Sequence, residues 1–349
     1  MFKITQIACK FVRSPRVFYP LIAKSALKSY VTQRVRLYND NKWHYWSPGP
    51  NQKLNVALAL SILSWLGFEQ EDEDKESELI MTLKRAVLCT QREEYDKAEQ
   101  MLHLALRMAQ QQQNQQGILY CYDLMANLAF DTYELDKAEK LFVNVLQLLL
   151  GNGLPQNDLK VIHISLKLAR ICQLKSNSER ADIGYRWCLE QIESHKKHNQ
   201  DAKVLYGVIN DWYAQYLLDT GDMTKALVHL TEAYNVCTEI MGEQSEKVML
   251  LLNDLGITSF RAEDYDTAEK FLKEAITLGR KLDDKSHLGV IHANLGLILL
   301  QKGVFREAEK FCVQGRKLGR KYDNPESIEQ SNYCLDQLKL NKEEQAKKA

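Results

Sequence analysis

His195 and His198 stand three residues apart, seven or more past Cys188, and residues of those types can share a metal ion. Paired carboxylates such as Glu93-Glu94 and Asp283-Asp284 are of the type used in general acid–base catalysis. The surroundings argue against both chemistries. The two histidines are separated only by Lys196 and Lys197, with no carboxylate pair close by, as at a solvated helix end. The acidic pairs follow the pattern of helix surfaces facing water. The chain has no phosphate-cradling G-x-x-x-x-G-K-[ST], no G-x-S-x-G, no G-x-G-x-x-G and no H-E-x-x-H. The eight cysteines (Cys9, Cys89, Cys121, Cys172, Cys188, Cys237, Cys312 and Cys334) include no C-x-x-C pair, and are expected to be buried small hydrophobes rather than a disulfide framework. The expectation is a protein without catalytic residues, cofactor or bound metal.

What, then, is the chain built to position? Six prolines and sixteen glycines in 349 residues are too few for a many-stranded fold and suit long helices. The formal charge is zero, 46 basic against 46 acidic, but the signs are segregated. Residues 1–37 hold eight Lys or Arg and no acid, so the remainder carries 38 basic and 46 acidic residues, a net of −8. An acidic body disfavours nucleic-acid binding.

Three segments precede that body. Residues 1–50 begin with Lys3, Lys10, Arg13, Arg16, Lys24, Lys28, Arg34 and Arg36 interleaved with apolar side chains, the composition of a mitochondrial transit peptide followed by a linker. Leu54 to Phe68 contains no charge and reads as a membrane anchor. At about 22 Å as a helix it is short of a ~30 Å hydrocarbon core, so an amphipathic helix docking on the body or on a membrane surface is the alternative. Residues 69–78 form an acidic linker, seven acids against one lysine. With the basic flank kept on the matrix side, the body would face the intermembrane space.

The body repeats itself. Alanine between charged neighbours recurs at Ala98, Ala138, Ala181, Ala226, Ala268 and Ala308, at intervals of 40, 43, 45, 42 and 40. Twelve residues before each stands Ala86, Ala126, Ala169, Ala214, Gly256 or Gly296; four after stands Leu102, Phe142, Tyr185, Leu230, Leu272 or Cys312; seven after stands Ala105, Val145, Cys188, Ala233, Ala275 or Gly315. Offsets of four and seven lie on one helical face, where small residues let a partner backbone approach and a bulky one fills the hole. Turn-like stretches such as Glu263-Asp264-Tyr265-Asp266 fall between, so each copy is expected to be two antiparallel helices. Gln110 to Gln116 is expected to be an inter-repeat loop, residues 325–340 a terminal helix covering the last apolar face, and 341–349 a frayed tail.

This template resembles the tetratricopeptide repeat family over about residues 76–322, although that family repeats at 34 residues and these copies are longer. The resemblance implies an all-α fold: a right-handed superhelical solenoid of about six helix pairs with a C-terminal capping helix, spanning 79–340. It also implies that first helices line the inner surface. Side chains three before and one after each small residue then face inward: Asp123 and Asn127, Leu166 and Arg170, Asp211 and Gln215, with Tyr120, His163 and Gln173 beside them. At the ends the same positions are apolar, Leu83 with Val87 and Ala293 with Leu297, either a greasy groove or surface packed against capping helices. The lysine and asparagine clamp with which some family members grip chaperone C-termini is not matched. Exchanging Asp123 and Asp211 together for lysine is expected to abolish partner capture without changing the melting temperature.

The strings Tyr122 to Phe130, Leu149 to Gly153 and Ile164 to Ala169, with the Gly67-Phe68-Glu69 junction, are similar to one mitochondrial branch of that family. That similarity implies an inner-membrane scaffold for respiratory complex III, without catalysis, whose partners include the Rieske iron–sulfur protein and which aids clearance of that subunit's fragments. The alternative is a general mitochondrial import or chaperone adaptor that grips extended peptides.

Overall fold

The computed structural model describes residues 78–196 and 199–348; the predicted transit peptide and membrane anchor, with the acidic linker up to Ser77, lie outside them. Thirteen helices and no strand occur among the described residues. No helix among them is long and apolar enough to cross a membrane. They fall into two compact units, meeting in sequence at Pro155 and Gln156.

The first unit holds two helix pairs: α1 (Glu78–Gln91) with α2 (Tyr95–Gln111), and α3 (Gln115–Asp131) with α4 (Leu135–Gly151). Its core joins Leu79 and Leu83 of α1, Leu102 of α2 and Tyr120, Cys121 and Met125 of α3. The second unit holds four pairs and a final helix: α5 (Leu159–Leu174) with α6 (Ser178–Ile192), α7 (Gln200–Thr220) with α8 (Met223–Met241), α9 (Glu246–Arg261) with α10 (Tyr265–Gly279), α11 (Leu288–Gln301) with α12 (Phe305–Lys321), and α13 (Pro325–Lys348). The surplus over a shorter repeat goes into helix length, most of all in the 21-residue α7 and 19-residue α8.

Every template alanine is 0% exposed, and the bulky position four residues later is at most 2% exposed in all six copies. The small position of the first helix meets that bulky side chain. A Cβ added at Gly256 would lie 2.8 Å from the Leu272 side chain, and one at Gly296 would run into Cys312 Sγ.

The turn inside each pair is the same device six times. Five residues before the template alanine, Glu93, Tyr133, Ser176, Gly221, Glu263 and Gly303 all have positive φ, between 59° and 90°. The next residue's N–H then donates five residues back, as Glu134 N does to Ala129 O at 2.8 Å and Asp264 N to Ser259 O at 3.0 Å. This closure satisfies the carbonyls left open at the first helix's end. Four of the six positions are not glycine, so the left-handed geometry is imposed by the packing of the pair.

Three expectations are corrected. Gln110 to Gln116 is not a loop: the glutamines extend α2 and α3, and only 112–114 connect them, with Asn114 Oδ1 accepting from Gly117 N at 2.8 Å as the N-cap of α3. The last helix does not stop at 340 but runs to Lys348, because the added stretch consists of helix-favouring residues without Gly or Pro. Cys312 and Cys334 are not independent buried thiols. They form a disulfide joining α12 to α13, with Cα atoms 5.9 Å apart.

The terminal helix is seated by small residues. A Cβ at Gly315 would lie 2.6 Å from Ser331 Oγ and 2.7 Å from Gly289 O, and one at Gly319 2.8 Å from Ser327 Cβ. This seam lets α13 pack against both α11 and α12.

Candidate functional site

In the first unit, α3 carries three of the predicted inner residues. Tyr120 is only 3% exposed and belongs to the core; burial pushes its phenol up to about 12. It is not available to a partner. Asp123 and Asn127 are half-buried, one turn apart, and Asn127 Nδ2 donates to the Asp123 carbonyl at 2.7 Å. The apolar end position Leu83 is packed inside the core.

In the second unit, the remaining predicted residues divide into a network and a buried pair. Arg170 and Gln173 sit one turn apart near the end of α5, where Arg170 Nη1 donates to Gln173 Oε1 at 2.8 Å. The same amide oxygen accepts from Tyr185 Oη of α6 at 2.6 Å, and Gln173 Nε2 donates to Asp219 Oδ2 of α7 at 2.7 Å. The Arg170 guanidinium lies 5.9 Å from the centre of the Trp212 ring. One glutamine thus ties three helices, and it fixes the orientation of the arginine next to a half-buried tryptophan. Behind it Tyr185, Tyr213 and Tyr216 stack with centroids 5.5–6.0 Å apart. Tyr213 Oη donates to Asp182 Oδ1 at 2.9 Å, and burial holds its phenol well above the usual range.

Asp211 does not face an open groove. Lys247 of α9 places its ammonium 2.8 Å from Asp211 Oδ2, and both side chains are at most 8% exposed. Such a pair is costly to break from one side, because the remaining charge stays buried. Replacing Asp211 with lysine would set two cations together in the interior, so the expectation of an unchanged melting temperature is withdrawn. Gln215 is half-buried on α7. His163 of α5 is held neutral, its imidazole kept well below 6.5 by burial and then by Lys167.

Further along, amides continue across the first helices. Gln330 Nε2 of α13 donates to Asn294 Oδ1 of α11 at 3.1 Å, and Asn294 Nδ2 donates to Asn253 Oδ1 of α9 at 3.0 Å. Ala293 and Leu297 are buried among these helices, so the apolar end of the second unit is packing surface and not a groove. Lys247, Trp212, Asp219 and the amide ladder escaped the sequence reading. Asn253 stands at the inner offset of its own copy, three residues before Gly256, so it was within reach of the rule; Lys247 lies nine residues before Gly256, outside the offsets considered.

The arrangement can hold a partner by amide and aromatic contacts, while Arg170 is largely buried. It offers no nucleophile beside a base, and buried thiols such as Cys121 and Cys188 are pushed up by desolvation, the former to about 12.

Paired antiparallel helices with a buried small-to-bulky contact define a tetratricopeptide-repeat protein. The tetratricopeptide repeat family profile matches residues 205–281, from within α7 through α10. Among solved structures, the apo form of RapI superimposes with a TM-score of 0.62 at 14% identity, over 87% of this chain and 80% of that one. BtubC from P. vanneervenii gives 0.56 at 18% identity, over 71% and 94%. More specifically, the chain is 39% identical over 288 residues to the mitochondrial tetratricopeptide repeat protein 19 homolog of Drosophila melanogaster, spanning 82% of this chain and 78% of the relative. It is 34% identical over 280 residues to tetratricopeptide repeat protein 19, mitochondrial, of Mus musculus, spanning 74% and 76%. The chain belongs to the family of tetratricopeptide repeat protein 19.

Proposed function

We propose that this protein is a non-catalytic scaffold of the mitochondrial inner membrane that supports assembly and upkeep of respiratory complex III. In this reading the repeat units face the intermembrane space and hold complex III subunits, the Rieske iron–sulfur protein among them. A separate protease or exchange step then removes Rieske fragments. Leu54 to Phe68 supplies the membrane attachment.

One observation carries the scaffold reading: the network around Gln173 ties α5, α6 and α7 together and holds the half-buried Gln173 and Trp212 side chains in place, with Arg170 itself largely buried. Polar and aromatic side chains held rigid on stacked helices bind with little ordering cost, which suits capture rather than turnover. Membership of a family whose relatives are named mitochondrial supports the compartment.

The test is removal of the chain from cells. Rieske fragments are expected to accumulate while complex III activity falls. Normal fragment levels with normal activity would overturn the proposal. Cross-linking in intact mitochondria, followed by identification of the attached proteins, is expected to yield complex III subunits.

A further inference from the structure

The second helices of the first five pairs are close to neutral. Summing Lys and Arg against Asp and Glu gives 0 for α2 and α4 and −1 for α6, α8 and α10. Helix α12 breaks the series, with Arg306, Lys310, Arg316, Lys317, Arg320 and Lys321 against Glu307 and Glu309, a net of +4 in a body whose overall balance is acidic.

The charges are arranged. At about 100° per residue, Arg306, Lys310, Lys317, Arg320 and Lys321 fall within an arc of roughly 100°. Ala308, Cys312, Gly315 and Gly319, the residues that α12 buries, point the opposite way. The stripe therefore faces away from the packed side and runs for about 22 Å. All five of these side chains are exposed, and none makes an ion pair among the described residues. Elsewhere on the second helices several cations are partnered: Lys97 by Glu94, Lys137 by Glu99 and Lys273 by Glu269. Of the two flanking acids, Glu309 is engaged by Lys342 of α13. Helix stability accounts for Arg320 and Lys321, which suit the negative end of the dipole, but not for Arg306, Lys310 and Lys317 higher up.

We propose that the α12 stripe is a docking surface for an anionic lipid bilayer, holding the second unit against the membrane surface. The chemistry selects this occupant. A protein partner of useful affinity needs an apolar or aromatic anchor at the centre of its contact, and single-stranded nucleic acid needs stacking platforms. Val313, half-buried, is the single apolar residue within the arc, and at its end the Tyr322 ring is covered by the Lys321 ammonium, 5.0 Å from the ring centre. A row of long cationic side chains along one face of a helix matches a lipid headgroup surface, where each Lys or Arg adds about a fivefold gain in partitioning (1 kcal/mol). This deepens the membrane part of the proposed function without depending on complex III.

The experiment uses the full chain and vesicles of phosphatidylcholine, with and without phosphatidylglycerol, in a flotation assay. The readout is the ratio of anionic to neutral binding, in which apolar insertion cancels and the basic residues of 1–37 form a background common to all variants. The variant Lys310→Glu/Lys317→Glu/Arg320→Glu is expected to lower that ratio by at least about 100-fold, the product of three lost charges. Unchanged circular dichroism and melting would show that these exposed exchanges leave the fold intact. The control Lys97→Glu/Lys140→Glu/Lys273→Glu is expected to retain the ratio. An unchanged ratio in the stripe variant, or an equal loss in the control, overturns the proposal; so does a stripe variant that keeps the ratio while losing binding to an acidic peptide or RNA. Fragment levels in cells remain a separate readout, so failure here and failure of the scaffold reading are distinguishable.

Discussion

Asp123 in the first unit and Asp211 in the second are the same residue at the same offset, three before the small position of a first helix, yet they are buried to different depths. Asp123 is half-buried, with its backbone carbonyl engaged by Asn127 one turn on. Asp211 is 5% exposed and ion-paired to Lys247 from the next first helix. A repeat template decides which way a side chain points. The neighbouring copy decides how deeply it is buried. Equivalence of position is thus not equivalence of role, and other positions of the template show the same split.

The sharpest way to break the comparison is to truncate both aspartates. Asp211→Ala is expected to cost about 3–5 kcal/mol in urea unfolding, because it leaves Lys247 buried without its partner. Asp123→Ala should cost less, because at its half-buried site water can reach whatever the exchange uncovers. Equal losses would show that the two sites do not differ. The double exchange Asp211→Leu/Lys247→Met is expected to recover most of the loss, since two well-packed apolar residues can replace a buried pair.

Next is the position seven after the template alanine, Ala105 in the first copy and Gly315 in the last. At Gly315 an added Cβ meets Gly289 O at 2.7 Å, so Gly315→Ala should destabilise by about 1–3 kcal/mol and loosen α13. Ala105→Gly is expected to cost about 0.5–1 kcal/mol, the usual price of glycine within a helix. Thermal melting together with hydrogen exchange in α13 measures both.

A smaller effect is expected at the turn position five before the alanine. Tyr133 holds φ of 64° and Gly221 of 90°. Tyr133→Gly should gain up to about 1 kcal/mol by relieving a left-handed side-chain clash, whereas Gly221→Tyr should lose about 1–2. A loss on the first exchange would mean that the Tyr133 side chain contributes more than its backbone costs.

The smallest difference is one of pH. His292 lies four before Gly296 and is 3% exposed, with Nδ1–H donating to Leu288 O at 2.7 Å. Burial lowers its pKa beneath 6.5, and Arg280 adds to that, against the raising effect of the hydrogen bond to Leu288 O. As the pH falls through 6.5 the unfolded chain takes up the proton first, so stability is lost on acidification down to the lowered folded value. His292→Gln is expected to remove that part of the slope of unfolding free energy against pH; an identical slope would show that the imidazole does not titrate differently on folding. At the same offset in the second copy stands Tyr122, half-buried and without an imidazole.

Much of the fold was legible because its determinants recur. The six alanines, their small partners twelve residues earlier and the bulky residues four later are buried as the spacing requires. Boundaries were less legible where composition misled. A run of glutamines reads as loop, yet glutamine is a good helix former and only three residues were needed for the turn. Of the inner-face residues, Asp123, Asn127, His163, Gln173 and Gln215 keep some exposure, while Tyr120, Arg170 and Asp211 are largely withdrawn into the interior. Those withdrawals were not legible, since each depends on a contact outside its own copy or beyond the template offsets.

By itself the sequence determined the class of fold, the number of helix pairs and the absence of a known catalytic motif, because these follow from periodicity and short-range spacing. Tertiary structure decided which polar groups remain free. The Asp211–Lys247 pair spans 36 residues, the Asn253–Asn294 link 41, and the Cys312–Cys334 bond 22. Contacts over such separations depend on how one copy stacks on the next. A periodic pattern encodes the unit that stacks, and the geometry between units emerges only when the side chains have packed.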